Sequence, residues 1–414
     1  MPAAAERARS DAEIATERAR RDAVRDDVVV VGGGPAGSVT ALLLAREGVR
    51  VRVIERARFP RTKVCGEYLN AGAVAALERL GLLDAVRAVS EPLCGVRLIP
   101  AEAEVVTLPF RHESLACARS ALDAVLLDAA VAAGAVVEHG RVEFTLVDEG
   151  WCDGVVVRTD DGALVERPAV YTVGADGIGS FIARKTGLTK PIRRAARYAV
   201  GGHYAGFGDL DRHVEMYVGG GAYFAINPLS ADQANVMVVV PRERLAQWSA
   251  DVDAGIHGAA AELGRGVRSF EGVTRIGPRV SIGPLAHDVE EPQRAAVVLV
   301  GDAAGFLDPF TGQGVFLALT GAEHAAQAIL TGLRGEGGLK ALDAYGRWRT
   351  RDVAWRKRLS QAVGALVDIP VLARRAAERL ARFPEAGAAL LDALSGVSAP
   401  QRAFRPSVLG RLLL

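Results

Sequence analysis

Cysteine is scarce and scattered in this chain of 414 residues: Cys65, Cys94, Cys117 and Cys152 stand with no C-x-x-C spacing. A disulfide framework or a cysteine zinc site needs clustered thiols, so neither is expected, and a reducing, cytoplasmic setting fits. The seven histidines form no H-x-x-x-H or H-E-x-x-H pair, which leaves no metal site to expect. Charge of one sign is also lacking: 50 basic residues balance 49 acidic ones for a formal net charge of +1. With no basic run interleaved with aromatics, nucleic acid is not an expected partner. No apolar run approaches the ~20 residues of a membrane span, so no transmembrane segment is expected. The start, MPAAAERARSDAEIATERARRDAVRDD, carries charge throughout and has no apolar core, unlike a signal peptide.

What is present is apolar content: 50% of the residues are hydrophobic, which at this length predicts two closely packed domains. From Asp27 the order VVVV, GGGPAG, SVTALLLAREG, VRVRVIER predicts strand, glycine turn, helix and strand. Gly32, Gly34 and Gly37 make a G-x-G-x-x-G, with Glu55 18 residues after the last glycine. Such glycines admit a pyrophosphate to the backbone at a helix N-terminus, and an acid at that distance suits the adenosine ribose hydroxyls. The motif leaves NAD and FAD equally open.

A second stretch, GDAAGFLDPFTGQG at 301–314, follows the apolar run AAVVLV. Its small residues suggest that something other than protein lies against the backbone. Between the two stretches, FPRTKVCGEYLNAGAVAALERLGLL runs from a basic loop into a helix, and SALDAVLLDAAVAAG, led by Arg119, has helical spacing. The segments ARYAVGGHYAG, HVEMYVGGGAYFAINPL and ANVMVVV are strand-rich and hold most of the tyrosines.

GGGPAG with Glu55, VGADGIGS at 173–180 and GDAAGFLDPFTGQG occur in the order and spacing of the para-hydroxybenzoate hydroxylase-like FAD flavoproteins, which the chain resembles from about residue 27 to 400. Arg61, Lys63, Cys65, Gly66 and Glu67 (R-x-K-x-C-G-E), with GDAAGF in place of GDAAH, resemble the geranylgeranyl reductase and flavin-dependent halogenase branch. The resemblance implies an α/β fold: a Rossmann-type, glutathione reductase-like FAD-binding domain, an inserted antiparallel β-sheet substrate domain and a helical C-terminal segment. The expected boundaries are a charged extension at 1–26, an FAD-binding domain at 27–75, 111–197 and 278–335, a substrate sheet at 76–110 and 198–277, and the C-terminal segment at 336–414.

It further implies that Gly32, Gly34, Pro35, Ala36, Gly37, Glu55 and Arg56 hold the dinucleotide, with Asp176 near the pyrophosphate. Lys63, Cys65 and Arg119 would lie toward the flavin. Asp302, after Gly301, would receive the ribityl chain, Pro309 would lie near the ring, and Gly312, Gln313, Gly314 and Val315 would aim a helix N-terminus at the flavin edge that gains negative charge on reduction.

Within the superfamily, halogenases carry a W-x-W-x-I-P element that the four tryptophans here do not form, and reductases carry a Y-x-W-x-F-P-K-like element for which GAYFAINPL is an altered counterpart. The expected activity is therefore an NAD(P)H-driven monooxygenase acting through a flavin C4a-hydroperoxide on a hydrophobic or aromatic small molecule of secondary metabolism. The alternatives are reduction of C=C bonds in an isoprenoid or polyketide, halogenation, and non-enzymatic lipid escort. Tyr204, Tyr217, Tyr223, Phe224 and Asn227 are expected to line the substrate cavity with Cys65 and Pro309; no general acid or base is singled out. Residues 340–414 hold 14 basic and six acidic residues, 14 − 6 = +8. This basic tail, ending in VLGRLLL, suggests peripheral contact with an anionic membrane or a carrier-bound substrate.

Overall fold

The computed structural model describes residues 25–100, 104–148, 151–192, 197–219, 222–248, 251–262, 268–306 and 308–413. The first 24 residues of the expected extension lie outside them, as do the side chains of Leu409, Leu412 and Leu413 and all of Leu414.

The chain opens with strand β1 (Asp26–Val31), helix α1 (Pro35–Arg46) and β2 (Val51–Glu55), then β3 (Tyr68–Leu69), α2 (Ala71–Arg79) and α3 (Leu83–Arg87). A long hairpin, β4 (Glu91–Pro100) and β5 (Val106–Ala116), leads to α4 (Arg119–Ala132). The meander is β6 (Val136–His139), β7 (Arg141–Asp148), β8 (Trp151–Arg158) and β9 (Leu164–Gly174), closed by the short α5 (Phe181–Lys185). There follow β10 (Arg197–Ala205), β11 (His213–Gly219), β12 (Ala222–Pro228) and β13 (Gln233–Pro241), helices α6 (Arg242–Gln247) and α7 (Val252–Glu262), and β14 (Thr274–Ile282). β15 (Gln293–Arg294) and β16 (Val297–Leu299) precede α8 (Gly314–Leu333), and the tail holds α9 (Leu342–Trp348), α10 (Ala354–Asp368), α11 (Pro370–Arg382), α12 (Pro384–Ser395) and α13 (Pro406–Leu413).

Two eight-stranded sheets result. The first runs β15-β16-β9-β1-β2-β6, with β16, β9, β1, β2 and β6 parallel and β7–β8 attached antiparallel to β9. Its central strand reads VVVV because both faces are covered. Small residues of α8, among them Ala318, Ala322, Ala325 and Ala326, are buried in the same core as Val39, Leu42 and Leu44 of α1. The second sheet runs β14-β10-β13-β12-β11-β4-β5-β3 and is antiparallel except where β11 meets β4. One of its faces packs with Val252, Ile256 and Ala260 of α7; the other turns toward Val64 and Phe310 of the first domain. The parallel sheet, the second sheet and the terminal helices are the architecture that the sequence predicts.

Several elements cross the expected boundaries. Val74, Leu77, Leu83 and Val86 of α2 and α3 bury in the first core, so residues 76–87 do not belong with the second sheet. β5 carries that sheet on to Ala116 and β14 carries it to Ile282, while β1 already begins at Asp26. Among the described residues no helix is long and apolar enough to cross a membrane.

Candidate functional site

Gly32 turns the chain at φ 106° as β1 ends, and an added Cβ would stand 2.5 Å from the Ala175 carbonyl oxygen; at Gly37 it would stand 1.9 Å from the Gly32 oxygen. Protein packing already requires glycine at these two positions. Gly34 differs: a Cβ there would meet nothing closer than guanidinium nitrogens of Arg61 at 3.6 Å and Arg119 at 3.9 Å. Gly34 caps α1 without a side-chain acceptor, Pro35 opens the helix, and Ala36 is buried behind it. Glu55 fastens the turn from the next strand: its Oε2 accepts the Gly33 N–H at 2.7 Å and its Oε1 the Ala57 N–H at 2.8 Å.

Around this open helix end stand Arg56, Arg61, Lys63 and Arg119. Asp123 pairs with Arg119 at 2.7 and 2.8 Å and with Arg61 at 3.3 Å. Lys63 has no such partner among the described residues: burial, then the charges of Arg61, Arg119 and Arg56, push its ammonium below the usual lysine value against the pull of Asp302. Burial likewise raises the Asp302 carboxyl, against the pull of Arg119, Lys63, Arg349 and His287. It also raises the Cys65 thiol. A lysine held below its ordinary value beside an uncapped helix end is the arrangement that an anion relieves.

The 301–314 stretch is held from behind. Gly301, Gly305 and Gly312 take φ of 59°, 119° and 61°. Arg349 donates to the Ala304 oxygen at 3.0 and 2.7 Å, and His287 Nε2 donates to the Ala303 oxygen at 2.8 Å. Asp308 accepts the Phe310 N–H at 3.0 Å and the Tyr223 hydroxyl at 2.9 Å. Buried Gln313 bonds Thr311 at 3.1 Å and receives Arg356 at 3.3 Å. Pro309 and Gly314 stay exposed, and a Cβ added at Gly314 would meet nothing within 4 Å, whereas the Val315 side chain turns into the core.

The second sheet faces these loops with three cross-strand rows, because directly opposed residues share a face. Tyr223, Val239 and Ala199 form one row, beside Phe310. Met216, Ala225, Met237 and Gly201 form the middle row. Asn227, Asn235 and His203 form the third. This polar row grips the R-x-K-x-C-G-E loop: Asn235 donates to the Cys65 oxygen at 2.7 Å, and Asn227 to the Gly66 and Glu67 oxygens at 3.0 and 2.9 Å. Glu67, buried at φ 55°, caps α4 by accepting the Arg119 N–H at 2.8 Å and holds His203 Nε2 at 2.8 Å. That contact raises the His203 pKa above 6.5 despite burial.

Some sequence expectations need correction. Tyr204, Tyr217 and Phe224 do not line this face; strand alternation turns them to the opposite one, into the core with α7, where Tyr204 donates to Asp253 at 2.6 Å and Tyr217 to Glu215 at 2.5 Å. Tyr223 and Asn227 alone of those five look toward the loops. Asp176 caps α5, accepting Ser180 Oγ at 2.5 Å and the N–H groups of Phe181 and Ile182 at 2.6 and 3.2 Å, a local role beyond the one the resemblance implies for it. The sequence offers His203 as one available histidine without singling it out and does not mark Asn235, Arg349 or Arg356, because only strand register and the return of the C-terminal helices bring them here.

The uncapped helix end at Gly34, the surplus of cations, the partner-free approach at Gly34 and Gly314 and the solvent-facing Pro309 fit a bound dinucleotide with a flat ring. A family model described as FAD binding domain matches residues 25–358, and the chain belongs to that family. It is 27% identical over 335 residues, 78% of this chain and 81% of the relative, to a 1H-pyrrole-2-carbonyl-[peptidyl-carrier protein] brominase of Pseudoalteromonas luteoviolacea. It is 32% identical over 310 residues, 71% of this chain and 77% of the relative, to digeranylgeranylglycerophospholipid reductase 1 of Methanopyrus kandleri. A solved flavin-dependent brominase shares the fold at a TM-score of 0.81 and 24% identity, over 93% of this chain and 98% of that one. The protein is an FAD-dependent oxidoreductase.

Proposed function

We propose that the protein is a monooxygenase that inserts one atom of dioxygen into a small apolar or aromatic compound, with a reduced nicotinamide nucleotide supplying the electrons and the second oxygen atom leaving as water. The observation that carries this reading is the middle row of the second sheet: Met216, Ala225, Met237 and Gly201 offer an apolar floor with no ionisable group. Of the polar groups beside it, Tyr223 bonds Asp308, the Asn227 and Asn235 amide nitrogens bond loop carbonyls and His203 bonds Glu67, while the Asn227 Oδ1 is buried with no partner among the described residues. Bound FAD would supply the redox chemistry. The chain's own residues would then have three tasks. Gly32, Gly34, Glu55, Arg61, Lys63 and Arg119 would bind the dinucleotide. Gly312, Gln313 and Gly314 would present the α8 N-terminus to the flavin edge that becomes negative. Tyr223, Phe310, Val64 and the floor would exclude water, which oxygen transfer to an apolar compound requires.

A second reading, reduction of a C=C bond, is favoured by the 32% identity to an isoprenoid-lipid reductase. That chemistry needs a proton donor at the substrate, for which His203 and Cys65 are the nearby candidates. Turnover under labelled dioxygen separates the two: label in the product supports oxygen insertion, while an unlabelled product richer by two hydrogens, formed equally well without air, refutes it. A product that carries a halogen atom only when halide is present refutes both.

A further inference from the structure

Helix α11 turns Ala373, Ala377 and Leu380 into the protein and leaves Val371, Arg374, Arg375, Glu378 and Arg382 along its outer side. Residues 370–413 hold seven arginines against three acids. Two of the acids have arginine partners, Glu378 at 3.7 Å from Arg374 and Glu385 at 2.5 Å from Arg111, and the third, Asp392, lies 3.9 Å from His112. Arg375, Arg379, Arg382 and Arg411 therefore have no carboxylate partner among the described residues. Three of these guanidiniums converge on one ring, at 4.7, 5.5 and 6.0 Å from the centre of Phe383. Arg379 also donates to the Arg411 oxygen at 2.8 Å, which ties α13 to the end of α11. At the other end of the helix Ile369 and Val371 are 48% and 56% exposed, two large aliphatic side chains almost adjacent in sequence.

We propose that this face docks on a bilayer of anionic phospholipid. Uncompensated arginines with donors to spare suit lipid phosphates, and exposed aliphatics beside them suit the boundary between headgroups and acyl chains. The stripe follows a helix of 13 residues, about 20 Å at the usual rise, an extent that suits a plane better than a single small anion. Its inner side, Ala377 and Leu380, packs on Val106 and Leu108 of β5. The docked face is thus one helix layer from the second sheet, on the side that also holds Phe310. Docking itself does not depend on which reaction the flavin performs.

The test is flotation of the flavin-loaded, full-length protein with vesicles of phosphatidylcholine alone and of equal parts phosphatidylcholine and phosphatidylglycerol. The expected result is binding to the second kind only, weakening as salt rises. Each arginine near an anionic surface contributes roughly fivefold to binding, so R375Q/R382Q/R411Q should lose at least tenfold, and I369S/V371S a few-fold, with flavin content unchanged in both. No flotation with the anionic vesicles at low salt would overturn the proposal. So would undiminished flotation of the triple variant. Tight capture of a soluble acidic protein without vesicle binding would assign the face to a protein partner and equally overturn it.

Discussion

Replacing Glu67 by glutamine perturbs one buried contact between the R-x-K-x-C-G-E loop and the second sheet with almost no change in shape. Glu67 accepts the Arg119 N–H with one oxygen and faces His203 Nε2, at 2.8 Å, with the other. A glutamine keeps the first bond through its carbonyl, but its amide nitrogen then faces the imidazole and can donate only to a neutral ring. In the native protein Glu67 raises the His203 pKa above 6.5. The stabilisation from that pair is therefore fully present below 6.5 and is lost as pH rises through the raised folded value. A hydrogen bond to a charged group contributes about 1.5–3 kcal/mol. The imidazole is 27% exposed, so the low end, about 1.5 kcal/mol, is expected for Glu67→Gln in mild acid. Above the folded pKa the deficit should shrink, because the ring is then neutral and the bond carries charge on the carboxylate side only. Urea unfolding at a series of pH values, for wild type, Glu67→Gln, His203→Gln and the double variant, reads this directly, because all other titrating groups cancel in the differences. A Glu67→Gln deficit that is flat with pH, or that grows toward alkaline pH, refutes the coupling.

Gly37→Ala puts a methyl 1.9 Å from a backbone oxygen and should cost about 1–3 kcal/mol or more with loss of flavin. Gly314→Ala meets no protein atom, so thermal unfolding of the flavin-free protein should be unchanged or slightly improved while flavin affinity falls at least tenfold; equal affinity would remove Gly314 from the cofactor face. Lys63→Met should leave the flavin-free protein as stable as before, since burial and three neighbouring arginines already disfavour its charge. It should weaken FAD binding roughly tenfold, about 1.4 kcal/mol, with a shallower salt dependence in fluorescence titration. Ala225→Leu should keep the flavin spectrum and affinity but narrow the accepted compounds to smaller ones in an NAD(P)H consumption screen; an unchanged compound range would refute the middle row as the floor.

The first domain was legible because its signals are local. The strand–turn–helix around Gly32–Gly37, Glu55 at the next strand end and the small residues of 301–314 all lie within short windows whose periodicity and glycine spacing carry the fold. The second sheet was legible as strands but not as faces. Tyr217 and Phe224 look like cavity aromatics in sequence, and only the pairing of β11 with β12 shows that they share the α7 core. Asp176 shows the same limit at smaller scale: its motif was visible, but its use as a cap for Ser180, Phe181 and Ile182 depends on a turn that no spacing rule fixed. The polar row was invisible for a plainer reason. Asn227, Asn235 and His203 are far apart in sequence and unremarkable singly, and they become a clamp only through register on either side of β13.

That register also limits where substrate selectivity can reside. The row of Tyr223 is fixed by Asp308 and Phe310, and the row of Asn227 by carbonyls of Cys65, Gly66 and Glu67; changing either would loosen a loop before it altered a pocket. In the middle row Gly201 is fixed too, since an added Cβ would lie 1.9 Å from the Val236 oxygen. Three side chains remain free to vary without breaking a hydrogen bond: Met216, Ala225 and Met237. Two are flexible thioethers that adapt to irregular shapes, and the third is small. On the proposed function, a chain of this build accepts a range of apolar shapes on one rigid frame, and its substrate preference should shift through those three positions while flavin binding, set in the other domain, stays constant.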